Sequence, residues 1–390
     1  MPTRQPTTLL LCSFFSLAVL AASGCSSNSA QRVDGSADSD SAAMEVPRIA
    51  CVFNSYGPVA EIDGAALNGV LLAREERRGT PWQIEVVSVA GATSAAKKAV
   101  AALGCCDSDE LRSAFAPFAA ETTPFLVVGA TDPCLALLPG GKHLSFACYS
   151  DAAQGSAMAD FAHDELGVQR VTVLFEAPGD FPIAVSQAFI ARARALQGMS
   201  VVSIAFTDVA KLPTDALLAS KPQAVYLACL PGSAVLTIKS LRSSGFSGPI
   251  LGADSFDIPL IADESLGSAR YFSTHAWFGA GASAAQIRFA SRYREMFHQE
   301  PSAFSALGYD AMQAMDRALA SLPPDRRTRQ GIAASLRALA PHQGVSGEIA
   351  FPAAGHFSAK PVFVVRASQG QRELSKRMTP TTVPEANCAR

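Results

Sequence analysis

Charge is scarce in this chain. Only 17% of its 390 residues are Asp, Glu, Lys or Arg, and the 32 basic residues nearly balance the 34 acidic ones. No basic field is available to hold nucleic acid or an anionic membrane surface. Histidine is equally sparse: six in all, at 143, 163, 275, 298, 342 and 356, with no HExxH pair. Also missing are a Gx4GK[ST] phosphate loop, a GxGxxG dinucleotide loop and a GxSxG nucleophile elbow. Gly140-Gly-Lys142 lacks the spacing and the hydroxyl residue of the first, and Gly245-Phe-Ser-Gly248 the final spacing of the last. With no nucleophile–base pair, metal-ligand set or cofactor motif, these absences speak against catalysis. Recognition is then left to a local site.

Apolar material is plentiful. Hydrophobic residues make up 49% of the chain, enough for more than one core, and the length suggests two domains. The first stretch reads as a targeting segment: Arg4, then an apolar run from Leu9 to Ala22, too short for a bilayer span but suited to a signal sequence. It ends in Leu20-Ala-Ala-Ser-Gly-Cys25, small residues directly before a cysteine. That pattern resembles a bacterial lipobox. It implies cleavage of residues 1–24, lipid on Cys25 and a place on the periplasmic side of the cell envelope, anchored to a membrane. The polar, aperiodic residues up to 46 read as a flexible tether with a reach of roughly 25 Å.

Nine cysteines occur. With Cys12 removed and Cys25 lipidated, Cys51, Cys105, Cys106, Cys134, Cys148, Cys229 and Cys388 remain. Cys51 and Cys229 lie in apolar runs and read as buried thiols. The extracytoplasmic compartment permits a disulfide, and a bridge from Cys105 or Cys106 to Cys134 is one expectation.

From Pro47 onward, short apolar β runs alternate with segments of helical periodicity. Arg48–Phe53, Ile84–Val89, Phe125–Val128, Val171–Phe175, Val201–Phe206, Ala224–Cys229 and Pro249–Leu251 read as strands. Ala60–Arg77, Thr93–Ala102, Gly155–Leu166, Ile183–Leu196, Ala234–Ser243, Ala284–His298 and Ser305–Leu319 read as helices. Arg74-Glu-Glu-Arg-Arg78 reads as a solvated helix end. Glu348–Phe351 and Pro361–Val365 read as a closing β pair, and the residues from 369 on as a polar tail. Such βα alternation, with strands apolar on both faces, predicts an α/β fold of parallel sheets covered by helices. Ligands bind such sheets at the carboxyl ends of their strands, which singles out the loops 54–61, 105–109, 129–133, 176–181, 230–233 and 254–257. His275, at a strand end in Ser273-Thr-His-Ala-Trp277, could approach a ligand.

Several segments, in this order, resemble the solute-binding proteins of branched-chain amino-acid ABC transporters, the leucine/isoleucine/valine-binding family. They are Gly57-Pro-Val-Ala60 with Gly64-Ala-Ala-Leu-Asn-Gly69, Ser150-Asp-Ala-Ala-Gln-Gly155, Pro249-Ile-Leu-Gly-Ala-Asp254, Glu300 to Asp310 and Gly344-Val-Ser-Gly-Glu-Ile-Ala-Phe351. The resemblance runs from about Arg48 to Arg366. It implies a type I periplasmic-binding fold: two Rossmann-like lobes joined by three hinge crossings, near Ser150, near His275–Trp277 and near Gly344. One lobe would hold residues 47–149 and 277–343, the other 150–276 and 344–368.

By position, the resemblance puts Ser108 and the Gly129-Ala130-Thr131 loop on the carboxylate of an amino acid, and Asp254 on its ammonium. Phe181, Ile62 and Leu230 would wall the pocket; the last two stand where the family often has tyrosines, which implies a more apolar cleft. It further implies no catalytic residue, cofactor or metal, and as partners a small solute (an amino acid first) and an ABC permease. The alternative is a sensor or scavenger of the same fold for a more apolar or amide-type solute.

Overall fold

The computed structural model describes residues 46–267, 269–351, 355, 357–380 and 388. The expected signal segment, Cys25 and the tether up to residue 45 lie outside the described residues. No helix among the described residues is long and apolar enough to cross a membrane.

The chain opens with five short parallel strands. They are β1 (Arg48–Val52), β2 (Gln83–Val87), β3 (Ala101–Gly104), β4 (Phe125–Val127) and β5 (Leu144–Phe146), in the order β2-β1-β3-β4-β5. Helices α1 (Ala60–Glu76), α2 (Ala92–Lys98) and α3 (Ser108–Ala120) make the crossovers. The central strands are buried along their length, β3 as Ala-Ala-Leu-Gly. Alanine favours helix, so the expected helix over 93–102 overruns this strand; burial on both faces overrides the propensity.

After β5 the chain passes into α4 (Asp151–Asp164) and a second sheet. Strands β6 (Arg170–Glu176), β7 (Ser200–Phe206), β8 (Ala224–Ala228), β9 (Ile250–Gly252) and β10 (Arg270–Thr274) alternate with α5 (Asp180–Ala195), α6 (Thr214–Ala219) and α7 (Pro231–Ser243). Beyond β10 it returns to the first half as α8 (Ala284–Phe297), α9 (Ala303–Ala320) and α10 (Arg329–Ala338), with α9 laid along α1. A hairpin, β11 (His342–Gly344) and β12 (Gly347–Ile349), follows. Two antiparallel strands, β13 (Val362–Ser368) and β14 (Gln371–Met378), complete the second sheet in the order β14-β13-β10-β9-β8-β6-β7.

Three features differ from expectation. The chain stays beside the first sheet well past Gly344: Phe357 bridges to Phe146 on β5, and the Ser358 hydroxyl donates to the Phe146 carbonyl at 3.0 Å. It enters the second sheet only at Val362, so Gly344–Phe351 and Phe357 do not pair there. Glu348–Ile349 pairs with β11, not with Val362–Val365. And the supposed polar tail is in part β14, a charged edge strand on which Lys376 pairs with Glu165 at the surface while Arg372 reaches the buried Asp257. Charged edge strands resist aggregation, and that polarity is what made the segment read as a tail.

The disulfide is also placed differently. Cys134 pairs with Cys388, while Cys105 and Cys106 are buried free thiols at the end of β3. The bridge ties the residues beyond β14 to the loop after β4, 254 positions away. Loop-closure entropy over that separation puts its worth at no more than about 5 kcal/mol. A Cys134→Ser/Cys388→Ser variant is expected to melt several degrees below wild type under oxidising conditions; equal melting temperatures would show that the bridge adds nothing.

Candidate functional site

The carboxyl ends of both sheets face one cavity. From the first half come Val59 and Ile62 after β1, Cys106 and Asp107 after β3, Gly129 and Thr131 after β4, and Phe304 on α9. From the second come Phe181 at the start of α5, Leu230 and Pro231 after β8, and Asp254 and Ser255 after β9. The cavity volume is ≈ 10 Å³, the room of about one water.

Of the residues expected here, Ile62, Gly129, Thr131, Phe181, Leu230 and Asp254 line this cavity, and Ser108 and Ala130 do not. Ser108 is the first residue of α3; its buried hydroxyl accepts the Asp132 amide N–H at 3.3 Å. Ala130 is fully buried, and its carbonyl accepts the Cys148 thiol at 3.4 Å. Asp107, one residue before Ser108, lines the cavity instead and caps α3 by accepting the Glu110 N–H at 3.0 Å. Its signal was in the sequence: Asp107-Ser-Asp-Glu110 is a helix-start pattern. Ser255 lies in the strand-end loop 254–257, whereas Phe304, within α9, carried no such signal, because its approach depends on how the two halves meet.

Behind Thr131 and Asp254 runs a buried polar network centred on Gln154. Its side-chain amide donates to Asp151 Oδ1 at 2.8 Å and to Asp254 Oδ1 at 3.2 Å. Its Oε1 accepts the Asp254 N–H at 3.1 Å and the Ser273 hydroxyl at 2.8 Å. Thr131 Oγ1 donates to the same Asp151 oxygen at 2.7 Å. Burial, then the charges of Asp254 and Asp132, push the Asp151 carboxyl well above the usual carboxylate range. A proton on Asp151 relieves the repulsion between the two carboxyls.

His275 completes the group. Its Nε2 lies 3.0 Å from Asp254 Oδ2, and its ring stacks on Tyr149 at 3.6 Å. Burial pulls the imidazole below its ordinary value, so it stays neutral and donates from Nε2. This changes two expectations. Asp254 does have internal partners, His275 and Gln154, but both are neutral donors. And His275, fully buried, is absent from the cavity wall and supports Asp254 from behind.

The first-half wall is acidic. Asp63 accepts the Asn54 and Cys106 N–H groups at 2.7 and 3.2 Å. Burial pushes Asp107 up to about 6 and, with the Asp63 charge, Glu110 up to about 7. The nearest arginine on α3, Arg112, is engaged by Asp180 at 2.5 Å. Beside the cavity, and sharing Ile62 with it, runs a groove of ≈ 900 Å³ between Glu61 and Asn68 of α1 and Phe272, Trp277 and Arg372. Among the described residues no cluster of His, Cys, Asp and Glu is arranged to hold a metal ion.

Two α/β halves thus oppose their strand ends across a mixed apolar and polar cavity. The chain belongs to the periplasmic binding protein family, whose model matches residues 48–372. It is thus a binding protein of the extracytoplasmic, periplasmic type, a binder and not an enzyme. Among solved structures, it is similar to a leucine-binding protein, LivK, of Thermotoga maritima, with 25% identity and a TM-score of 0.76 over 86% of this chain and 99% of that one. LivJ of Streptococcus pneumoniae, a branched-chain amino-acid transporter protein in complex with isoleucine, aligns at 21% identity and TM-score 0.74 over 86% and 99%. A solute-binding protein of R. palustris in complex with benzoate aligns at 17% identity and TM-score 0.75 over 88% and 99%. No curated protein matches the chain.

Proposed function

We propose that the chain captures an amine-bearing solute of amino-acid size between its two halves and presents it to an ABC permease, held at the membrane by lipid on Cys25. An amino acid is the first member of that class. The observation that carries the reading is Asp254: it lies on the wall of the cavity between the halves, and its buried side-chain partners, Gln154 and His275, are neutral donors. A buried carboxylate without a cation is costly, and a ligand ammonium supplies one. The lipobox pattern at Leu20–Cys25 supports the anchor, and labelling with a radioactive or clickable fatty acid, lost in Cys25→Ala, tests it.

For the site, Asp254→Asn keeps the shape and removes the charge. It is expected to weaken amine binding by about 3 kcal/mol, roughly a hundredfold, with little change in circular dichroism. A thermal-shift screen of amino acids, amides, amines and apolar acids finds the solute, because a bound ligand raises the melting temperature by mass action. If no amine shifts the melting point, or Asp254→Asn binds the solute as well as wild type does, the reading fails.

A further inference from the structure

The cavity has two acids and no base on its walls. Asp107 enters from the first half and Asp254 from the second, and among the lining residues there is no Arg, Lys or His. An amino acid would need its carboxylate held somewhere in this space. The natural place for it is the amino end of α3, where free N–H groups and the helix dipole favour an anion. That place is taken: Asp107 caps α3 with its own carboxyl, 93% buried, with Glu110 and Asp63 close behind. A ligand carboxylate there would face a carboxylate of the protein, with the Arg112 guanidinium already engaged by Asp180. A second observation points to a polar ligand at this wall. The hydroxyl of Ser255, on it and nearly fully buried, has no hydrogen-bond partner among the described residues, and buried hydroxyls are rarely left so.

Resting on the reading that an amine is held at Asp254, we propose that the solute carries no carboxylate: its second polar end is a hydrogen-bond donor or a cation directed at Asp107, which makes it an amino amide or a diamine with an apolar middle. Ile62, Val59, Phe181, Leu230 and Phe304 enclose that middle, and Ser255 serves either end.

The test is calorimetry on the full chain, freed of carried-over solute, at pH 7.5 with leucine, leucinamide and 1,4-diaminobutane. Leucinamide or the diamine is expected to bind at least tenfold tighter than leucine. Asp107→Asn keeps the helix cap and offers a donor; it is expected to strengthen leucine at least tenfold and weaken the diamine. Leucine binding as tightly as both others in wild type overturns the inference while leaving an amine at Asp254 in place. Unchanged preferences in Asp107→Asn also overturn it. Loss of all three ligands in Asp254→Asn, together with leucine preferred in wild type, separates the two: the amine anchor stands and the second end is a carboxylate.

Discussion

Gly308→Ala is expected to destabilise the protein by about 3 kcal/mol or more, although alanine is the better helix former by about 1 kcal/mol. Gly308 lies in the middle of α9, where that helix crosses α1. A Cβ at Gly308 would sit 2.0 Å from the Ala66 carbonyl oxygen, and one at Gly69 on α1 would sit 1.9 Å from the Ser305 carbonyl oxygen. The two helices are notched into each other, backbone against backbone, so no flexible side chain can give way. Adding a methyl group must push the helices apart along a contact that buries Ala66, Val70, Leu307 and Ala311 completely. Gly64, on α1, has nothing within 4 Å of its added Cβ. Gly64→Ala is therefore expected to be neutral or mildly stabilising, by less than about 1 kcal/mol. Denaturant melts of the two variants check both signs; a stable Gly308→Ala would mean that the helices pack more loosely than drawn.

That notch shows where the sequence was legible and where it was not. The βα alternation, and most of the helices, followed from periodicity, because strands buried on both faces and helices buried on one leave distinct patterns. Ala284–Phe297 and Ala303–Ala320 were readable in this way to within two residues of their ends. The Ala-rich β3, by contrast, looks helical until its neighbours β1 and β4 bury it. β14 was hidden by its own charges, and β5, three residues long, offers too short a pattern. The Cys134–Cys388 pairing depends on where the chain end returns in space, which spacing cannot show.

The site divides along similar lines. The rule that ligands gather at strand ends singled out loops that hold ten of the twelve lining residues, Thr131, Phe181 and Asp254 among them. It could not resolve a one-residue register: Asp107 and Ser108 both follow β3, and only the turn into α3 decides that the acid faces the cavity while the serine turns back to Asp132. Nor could it show what stands behind a wall residue. Asp254 read as an acid without partners because His275 and Gln154 lie 21 and 100 positions away.

Gln154 is the residue through which that hidden layer acts, and Gln154→Leu is expected to have the largest effect on both stability and binding. Its one side chain joins the start of α4 through Asp151 (which in turn holds Thr131 of the loop after β4), the loop after β9 through Asp254, and β10 through Ser273. All of these groups are buried. Leucine fills a similar space but leaves the Asp254 N–H, the Ser273 hydroxyl and Asp254 Oδ1 without this donor and acceptor. Each stranded buried group costs about 1–3 kcal/mol, so a loss of about 3–5 kcal/mol is expected, with partial relief where two of them find each other. The network also holds Asp254 at the cavity and sits where the chain crosses between the halves, with Ser150 and Asp151 at one crossing and His275 at a second. Solute affinity is therefore expected to fall by more than a hundredfold even at a temperature where the variant is fully folded. Gln154→Glu distinguishes packing from hydrogen bonding. It preserves volume but brings a third carboxyl against Asp151 and Asp254, so its stability should drop as pH rises through the range where the introduced carboxyl ionises, and recover in acid. A Gln154→Leu protein that melts and binds like wild type would mean that the two halves are positioned by their apolar contacts alone.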